Sequence, residues 1–188
     1  MFSSEFAEIR YCMPKEVLDM ESEFVTSLRD AVPGIIIFEG IPDILEMAKD
    51  KSHRLIILDD LGEESYANSN FQKLITRISH HSEISVIVVN QIFFESKEKA
   101  TTISRNMSTF ILFNHRNDPT HIAVLSRRFL GSSSFASECF KYMTKNLPAT
   151  AQHYLCIDFE TRSQLPHELH CRSQILSHQT PIFFLRPQ

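Results

Sequence analysis

Glycine is scarce in this 188-residue chain, and its scarcity excludes one common phosphate-binding element. The glycines are Gly34, Gly40, Gly62 and Gly131. A P-loop, with the pattern GxxxxGK[ST], binds phosphate groups through backbone amides and a lysine. None of the glycines has this spacing, and neither Gly-Lys-Ser nor Gly-Lys-Thr occurs in the sequence. This sequence therefore contains no P-loop with which to hold a triphosphate in the usual manner.

Other features are also missing. No apolar run approaches the roughly 18 residues that a membrane-spanning helix requires. The N-terminal residues, MFSSEFAEIR, lack the apolar segment of a secretory signal. The formal net charge of -4 creates no general attraction to nucleic acid, although a local basic loop could still contact it. The four cysteines form no CxxC pair, which favours reduced, buried thiols. We therefore expect an intracellular protein, in the cytoplasm or nucleus, that is neither secreted nor in a membrane.

Short apolar runs alternate with amphipathic segments along the chain. The runs are rich in β-branched and aromatic residues, which predicts β-strands at 9–12, 35–38, 55–58, 84–89, 110–113 and 154–157. Runs 55–58 and 86–89 contain no polar residue, as in strands that a parallel sheet buries on both faces. Apolar residues at helical spacing predict helices over 16–31, 65–80, 120–129 and 135–145. The alternation predicts an α/β fold with a mostly parallel sheet flanked by helices.

Two adjacent carboxylates, Asp59 and Asp60, follow the apolar run at 55–58 directly. In a Walker B arrangement one such acid holds the magnesium ion of a bound nucleotide, usually through water, and its neighbour orients or deprotonates the attacking water. The alternative is helix capping, with Asp60 as the N-cap of a helix that begins near Glu63, where the helix dipole favours acids. This stretch alone leaves both interpretations open.

Gln91 follows the second apolar strand, in the sequence ISVIVVNQ. Ligands of parallel sheets bind at the carboxyl ends of the strands, and Asp59, Asp60 and Gln91 all lie there. A glutamine at this place can contact both the γ-phosphate and the attacking water. It could instead bind the backbone of its own loop. Together the two strand ends favour a nucleotide site.

The ordered set of segments resembles one family of ATPases. The segments are EGIPDI (39–44), RLIILDDLGEE (54–64), ISHHSEISVIVVNQIFF (78–94), TISRNMSTFILFNHRND (102–118), IAVLSRRF (122–129) and HYLCIDFETRSQLPHEL (153–169). Together they resemble the FtsK–HerA type of P-loop ATPase, and most closely the genome-packaging ATPases of poxvirus-like and Polinton-like DNA elements. The resemblance covers most of the chain from about residue 9 to 176.

This resemblance implies a RecA-like (P-loop NTPase) core in a single domain, 1–188, with ATP and Mg²⁺ as cofactors. It further implies a homo-oligomeric ring that moves double-stranded DNA. By position in the motifs, Asp59 would bind Mg²⁺ through water and Asp60 would be the catalytic acid, with Glu63 as the alternative. Gln91 would contact the nucleotide at the strand end.

Relatives place the P-loop strand and its helix before the first strand found here. The chain is therefore expected to be a partial core that begins after the Walker A helix. In a RecA-like sheet the P-loop strand lies between the strand that ends near Gln91 and the strand at 110–113. We expect either a gap between these two strands or their direct pairing.

Basic residues provide further candidates. Many relatives carry an arginine after paired histidines, but here Ser82 follows His80 and His81. The candidates for an arginine that reaches a neighbouring subunit's nucleotide are Arg77, Arg127 and Arg128. The charged segment ESKEKATTISRN (95–106) is either a solvated loop or a pore loop whose Lys97, Lys99 and Arg105 contact DNA phosphates.

Three functions remain open at this point. The first is part of a working DNA-packaging ATPase. The second is a decayed or domesticated protein of viral or mobile-element origin that binds a partner without hydrolysis. The third is an unrelated α/β binding domain.

Overall fold

The computed structural model describes residues 6–20, 22–47, 49, 51–61, 68–78, 82–90, 106–114, 118–159, 171–176 and 178–185. The chain divides into two compact units, Met1–Asn106 and Met107–Gln188. The expectation of a single domain over 1–188 stays a prediction, because two compact units can belong to one cooperatively folding domain. No helix among the described residues is both long enough and apolar enough to cross a membrane.

The first unit is built on a parallel sheet of four strands. They are β1 (Glu8–Met13), β2 (Ile36–Glu39), β3 (Arg54–Asp59) and β4 (Ile84–Val89), and their spatial order is β2-β1-β3-β4. The helices are α1 (Lys15–Met20), α2 (Ser22–Ala31), α3 (Ile44–Met47) and α4 (Ser69–Lys73), which continues into a π-helical turn, Leu74–Ile78. All three strand pairings are parallel, which confirms the predicted α/β class for this unit.

Both faces of β3 are covered, as its apolar sequence predicts. On one face Leu55 packs with Ile9 and Ile35, next to Leu28 and Val32 at the end of α2. On the other face Ile56 and Leu58 pack in a larger cluster with Met47 of α3 and with Phe71, Leu74 and Ile75 of the segment after β3. The helix between β1 and β2 therefore lies on one face, and the helices that follow β2 and β3 lie on the other.

The second unit is built on an antiparallel sheet. Its strands are β5 (Thr109–Phe113), β6 (Tyr154–Asp158), β7 (Cys171–Ser173) and β8 (Ile182–Phe184), in the order β5-β6-β7-β8. Helices α5 (Pro119–Leu130) and α6 (Phe135–Asn146) form a hairpin through a short connection. They lie on one face of the sheet, where Phe129 stacks on Phe110 at 4.8 Å between ring centroids and Tyr142 meets Phe184 at 6.0 Å.

This second sheet differs from the parallel sheet that the sequence predicts for the whole chain. β5 pairs antiparallel with β6, from Thr109 opposite Asp158 to Phe113 opposite Tyr154. Alternate residues of β5 differ in burial: Leu112 is buried, whereas Ile111 and Phe113 are exposed. An antiparallel sheet with helices on one face produces this alternation.

The predicted strands and helices agree largely with the structure. All six predicted strands form, each within one residue of the predicted ends. The helices predicted over 120–129 and 135–145 form, whereas the one predicted over 16–31 forms as two helices, α1 and α2. Of the helix predicted over 65–80, the described part begins at Ser69 and turns π-helical at Leu74. Strands β7 and β8 and helix α3 were not predicted.

Strands β4 and β5 belong to different units, and among the described residues each lies at an edge of its own sheet. The expectation that these two strands leave a gap or pair directly stays a prediction. Two apolar side chains of the edge strand β4 are exposed on one face of the sheet: Ile87 is 47% exposed and Val89 is 46% exposed.

Candidate functional site

Strand β3 carries the acidic pair to the carboxyl edge of the parallel sheet. Asp59 is its last residue and lies opposite Val89, the last residue of β4. The amide of Asp60 donates a hydrogen bond of 3.1 Å to the carbonyl oxygen of Val89. The ladder thus continues to the strand ends, which fixes the backbone of both acids against β4.

The acids also lie at the topological switch point of the sheet, where the order of the strands reverses. Strand β1 lies between β2 and β3, and the connections that follow β1 and β3 run over opposite faces. Where neighbouring parallel strands send their connections to opposite faces, a crevice opens at their carboxyl ends, and ligands of open α/β sheets bind there. Asp59 and Asp60 follow β3, one of the two strands at this switch point.

Asp59 is half-buried and has a neighbour that the sequence did not reveal. The hydroxyl group of Tyr11 donates a hydrogen bond to its Oδ2 atom. The Tyr11 ring packs edge-on against Phe24 of α2, with centroids 5.8 Å apart and an interplanar angle of 61°. Tyr11 stands on β1, 48 residues before Asp59, so the contact follows from the pairing of β1 with β3 and from no local motif.

Asp60 is exposed and takes an unusual backbone conformation. Its φ angle is 53°, in the left-handed region. Residues with a Cβ atom avoid this region, and aspartate and asparagine are among those that enter it most readily. The chain therefore turns sharply after Asp59. The side chain of Asp60 does not follow the pattern by which successive residues of a strand point to opposite faces of the sheet.

The donor set of this edge suits magnesium. Mg²⁺ is usually held by one or two carboxylates, several waters and the phosphates of a substrate. Asp59 and Asp60 supply two carboxylates at a rigid strand end. Among the described residues there is no group of three or more histidine, cysteine or acidic side chains that could hold a metal. Two carboxylates can hold such an ion when waters and phosphate oxygens supply the other ligands.

The same edge does not fit a triphosphate. The chain after β1 runs through Pro14, which has no amide hydrogen, into a helix of only six residues. The carbonyl oxygen of Met13 accepts a hydrogen bond of 2.9 Å from the amide of Gly40, so the ends of β1 and β2 bind each other. The sequence likewise contains no GxxxxGK[ST] pattern.

Helix capping, the other interpretation of the acidic pair, is tested only in part. The helix start predicted near Glu63 lies outside the described residues. The described helix α4 begins at Ser69 and has its own cap, because the side chain of Asn68 accepts hydrogen bonds from the amides of Asn70 and Phe71. Asp60 does not cap α4.

The remaining candidate residues lie outside the described residues or in other elements of the chain. Those outside the described residues are Glu63, Gln91, Lys97, Lys99 and Arg105. Arg77 belongs to the π-helical turn Leu74–Ile78 of the first unit. Arg127 and Arg128 are exposed in the last turn of α5, in the second unit. The roles predicted for these residues stay predictions.

Comparisons with known proteins add no relative: no family model matches the chain, and neither curated proteins nor solved structures gave a significant match.

Proposed function

We propose that this chain contributes the magnesium-binding and water-activating edge of a nucleoside-triphosphatase, as part of a RecA-like ATPase of the FtsK–HerA type. The observation that carries the proposal is the position of Asp59 and Asp60. They follow a strand buried on both faces, at the change of winding between β1 and β3. Asp59 would hold Mg²⁺ through water and Asp60 would act on the attacking water.

The phosphate-binding part of such a site must come from elsewhere, because this sequence has no GxxxxGK[ST] pattern. A longer form of the protein with a P-loop segment before Met1 would supply it. In that form we propose a homo-oligomeric ring that uses ATP to move double-stranded DNA. Gln91 would contact the nucleotide, one of Arg77, Arg127 and Arg128 would act on the neighbouring subunit, and Lys97, Lys99 and Arg105 would contact DNA.

The decisive experiment compares two proteins. The 188-residue chain alone should hydrolyse ATP at the background rate. The longest reading frame that contains the chain and an in-frame P-loop should hydrolyse ATP, and Asp60→Asn should lower its turnover at least about a hundredfold, within the range for loss of a general base. ATP binding should remain, because the P-loop supplies most phosphate contacts.

Glu63→Gln is the matched control, since Glu63 is the other acid close to the strand end. If Glu63→Gln abolishes turnover and Asp60→Asn does not, the catalytic acid is misassigned. Hydrolysis by the 188-residue chain alone that disappears in Asp60→Asn would contradict the need for a supplied P-loop.

A second function is favoured by the missing P-loop itself. A protein derived from such an ATPase could keep the folded units and act as a binding module without hydrolysis. Mapping the start of the transcript distinguishes the two: a start that encodes no P-loop favours the binding module, and an in-frame GxxxxGK[ST] favours the ATPase.

A further inference from the structure

The contact between Tyr11 and Asp59 differs from those of the other half-buried acids in the described part of the chain. Glu8 is paired with Arg10 and lies 3.8 Å from the Nε atom of Arg54. Asp158 lies 3.9 Å from Arg172. Asp59 forms no ion pair with any described residue, and its Oδ2 atom accepts a hydrogen bond from a neutral hydroxyl group.

A neutral donor leaves the negative charge of Asp59 available. An arginine at this place would offset the charge and compete with a cation, whereas a tyrosine orients the carboxylate without neutralising it. A carboxylate has two oxygen atoms with about four acceptor positions, and a hydroxyl group donates a single hydrogen. The hydrogen bond from Tyr11 uses one acceptor position of Oδ2. The Oδ1 atom can therefore still accept a hydrogen bond from a metal-bound water.

The position of the hydroxyl group is fixed by its ring. Tyr11 lies opposite Ile37 of β2 and Ile57 of β3 in the sheet, and all three belong to the face that α2 covers. Phe24 holds the ring from the helix side. Asp59 follows Ile57 by two residues, so its side chain leaves β3 on the same face and meets the hydroxyl group.

We propose that Tyr11 is a positioning residue that orients Asp59 for a divalent cation. The inference rests on the proposed function, because the cation belongs to that site. Groups that orient a metal-binding side chain contribute roughly ten- to a hundredfold to metal affinity or activity when they are removed. Loss of the Tyr11 hydroxyl group should therefore weaken cation binding while the fold persists.

The test measures binding of Mn²⁺, a spectroscopic substitute for Mg²⁺, to the intact 188-residue chain by water-proton relaxation. Asp59→Asn should abolish the specific binding. Tyr11→Phe keeps the ring, and it should raise the dissociation constant about tenfold. One control should leave the dissociation constant unchanged. Tyr142→Phe removes the hydroxyl group of a tyrosine that is 51% exposed in the second unit.

The outcomes separate the two proposals. If the unaltered chain does not bind Mn²⁺, or if Asp59→Asn binds it as tightly, the proposed magnesium site is wrong. If Asp59→Asn loses binding and Tyr11→Phe does not weaken it, the site stands and the positioning role is wrong.

Discussion

The amide of Asp60 donates a hydrogen bond to the carbonyl oxygen of Val89 while Asp60 itself holds a φ angle of 53°. The parallel ladder between β3 and β4 thus reaches one residue beyond the end of β3, and the chain then leaves the sheet abruptly. This combination places two like charges next to each other on a rigid edge. A residue with a side chain keeps a positive φ angle only where the surrounding contacts hold it there, and such conformations are frequent at functional sites.

The first prediction concerns that backbone conformation. Asp60→Val should lower the free energy of unfolding by about 1–2 kcal/mol, because a β-branched residue in the left-handed region clashes with its own backbone. Asp60→Gly should change the free energy by no more than about 1 kcal/mol, since glycine enters this region without strain but makes the unfolded chain more flexible. Urea unfolding measures both.

Asp60→Asn serves as the control, because asparagine keeps the size of aspartate and its tolerance of positive φ. Its unfolding free energy should stay close to that of the unaltered chain. Equal stability of the valine and glycine variants would contradict the conformation described for this turn.

The second prediction concerns the hairpin of α5 and α6. Ser126 is fully buried at 0% exposure, donates a hydrogen bond to the carbonyl oxygen of Ser132, and accepts one of 3.0 Å from the amide of Ala136. It therefore caps the first turn of α6 from the neighbouring helix. Ser126→Ala should lower the free energy of unfolding by about 1–3 kcal/mol, the cost of leaving a buried donor unpaired.

Ser134 provides a matched control at the same helix start. It occupies the N-cap position of α6 but forms no side-chain capping hydrogen bond. Ser134→Ala should therefore change stability by less than about 0.5 kcal/mol. A larger loss for Ser134→Ala than for Ser126→Ala would show that α6 is capped locally.

The third prediction concerns pH. Burial raises the pKa of the Cys12 thiol from 9.0 to about 12 in the folded protein, and Arg10 opposes this in part. The folded state thus holds the thiol proton more tightly than the unfolded state. The resulting stabilisation is complete below pH 9.0 and is lost as the pH rises toward about 12.

In that window the Cys12 thiol should contribute a loss of about 1.4 kcal/mol in unfolding free energy per pH unit. Cys12→Ala should reduce the slope by this amount, whatever its effect on stability at neutral pH. Urea unfolding at a series of pH values above 9.0 measures the slope. Cys139 and Cys156, whose pKa values are also raised, should leave a residual slope in the variant. An unchanged slope would mean that Cys12 ionises as easily in the folded chain as in the unfolded one.

The sequence was sufficient for features that depend on local composition. The apolar run at 55–58 predicted a strand buried on both faces, and β3 is such a strand. Strands β7 and β8 have only three residues each: β7, CRS, contains no apolar run, and β8, IFF, is an apolar run too short to indicate a strand. β7 pairs with β6 and β8 pairs with β7, so both strands depend on tertiary contacts.

Only the acidic part of the candidate site could be predicted from the sequence. Two acids after an apolar strand indicated Asp59 and Asp60, because strand ends are where parallel sheets bind ligands. Tyr11 could not be found this way. Its contact with Asp59 requires the strand order β2-β1-β3 and the register that places Tyr11 opposite Ile57. The residues around Tyr11 predict neither the order nor the register.

The last prediction concerns the edge of the parallel sheet. In the described part of the chain β4 is an edge strand, and its residues Ile87 and Val89 are exposed on one face of the sheet. An open edge with large apolar side chains is a recognised site of association between chains. We therefore expect the 188-residue chain to associate at micromolar concentration, and sedimentation velocity should show species larger than the monomer.

The variants Ile87→Lys and Val89→Lys should each shift this distribution toward the monomer, because a charge on an edge strand opposes pairing with a second chain. Val124→Lys is the matched control, since Val124 is an apolar residue of similar exposure, 50%, on a helix of the second unit. If Val124→Lys reduces association as much as the β4 variants do, the association is a general effect of exposed apolar surface. If the unaltered chain is a monodisperse, cooperatively melting monomer, another segment covers β4, and the partial RecA-like core proposed for this chain is wrong in its strand order.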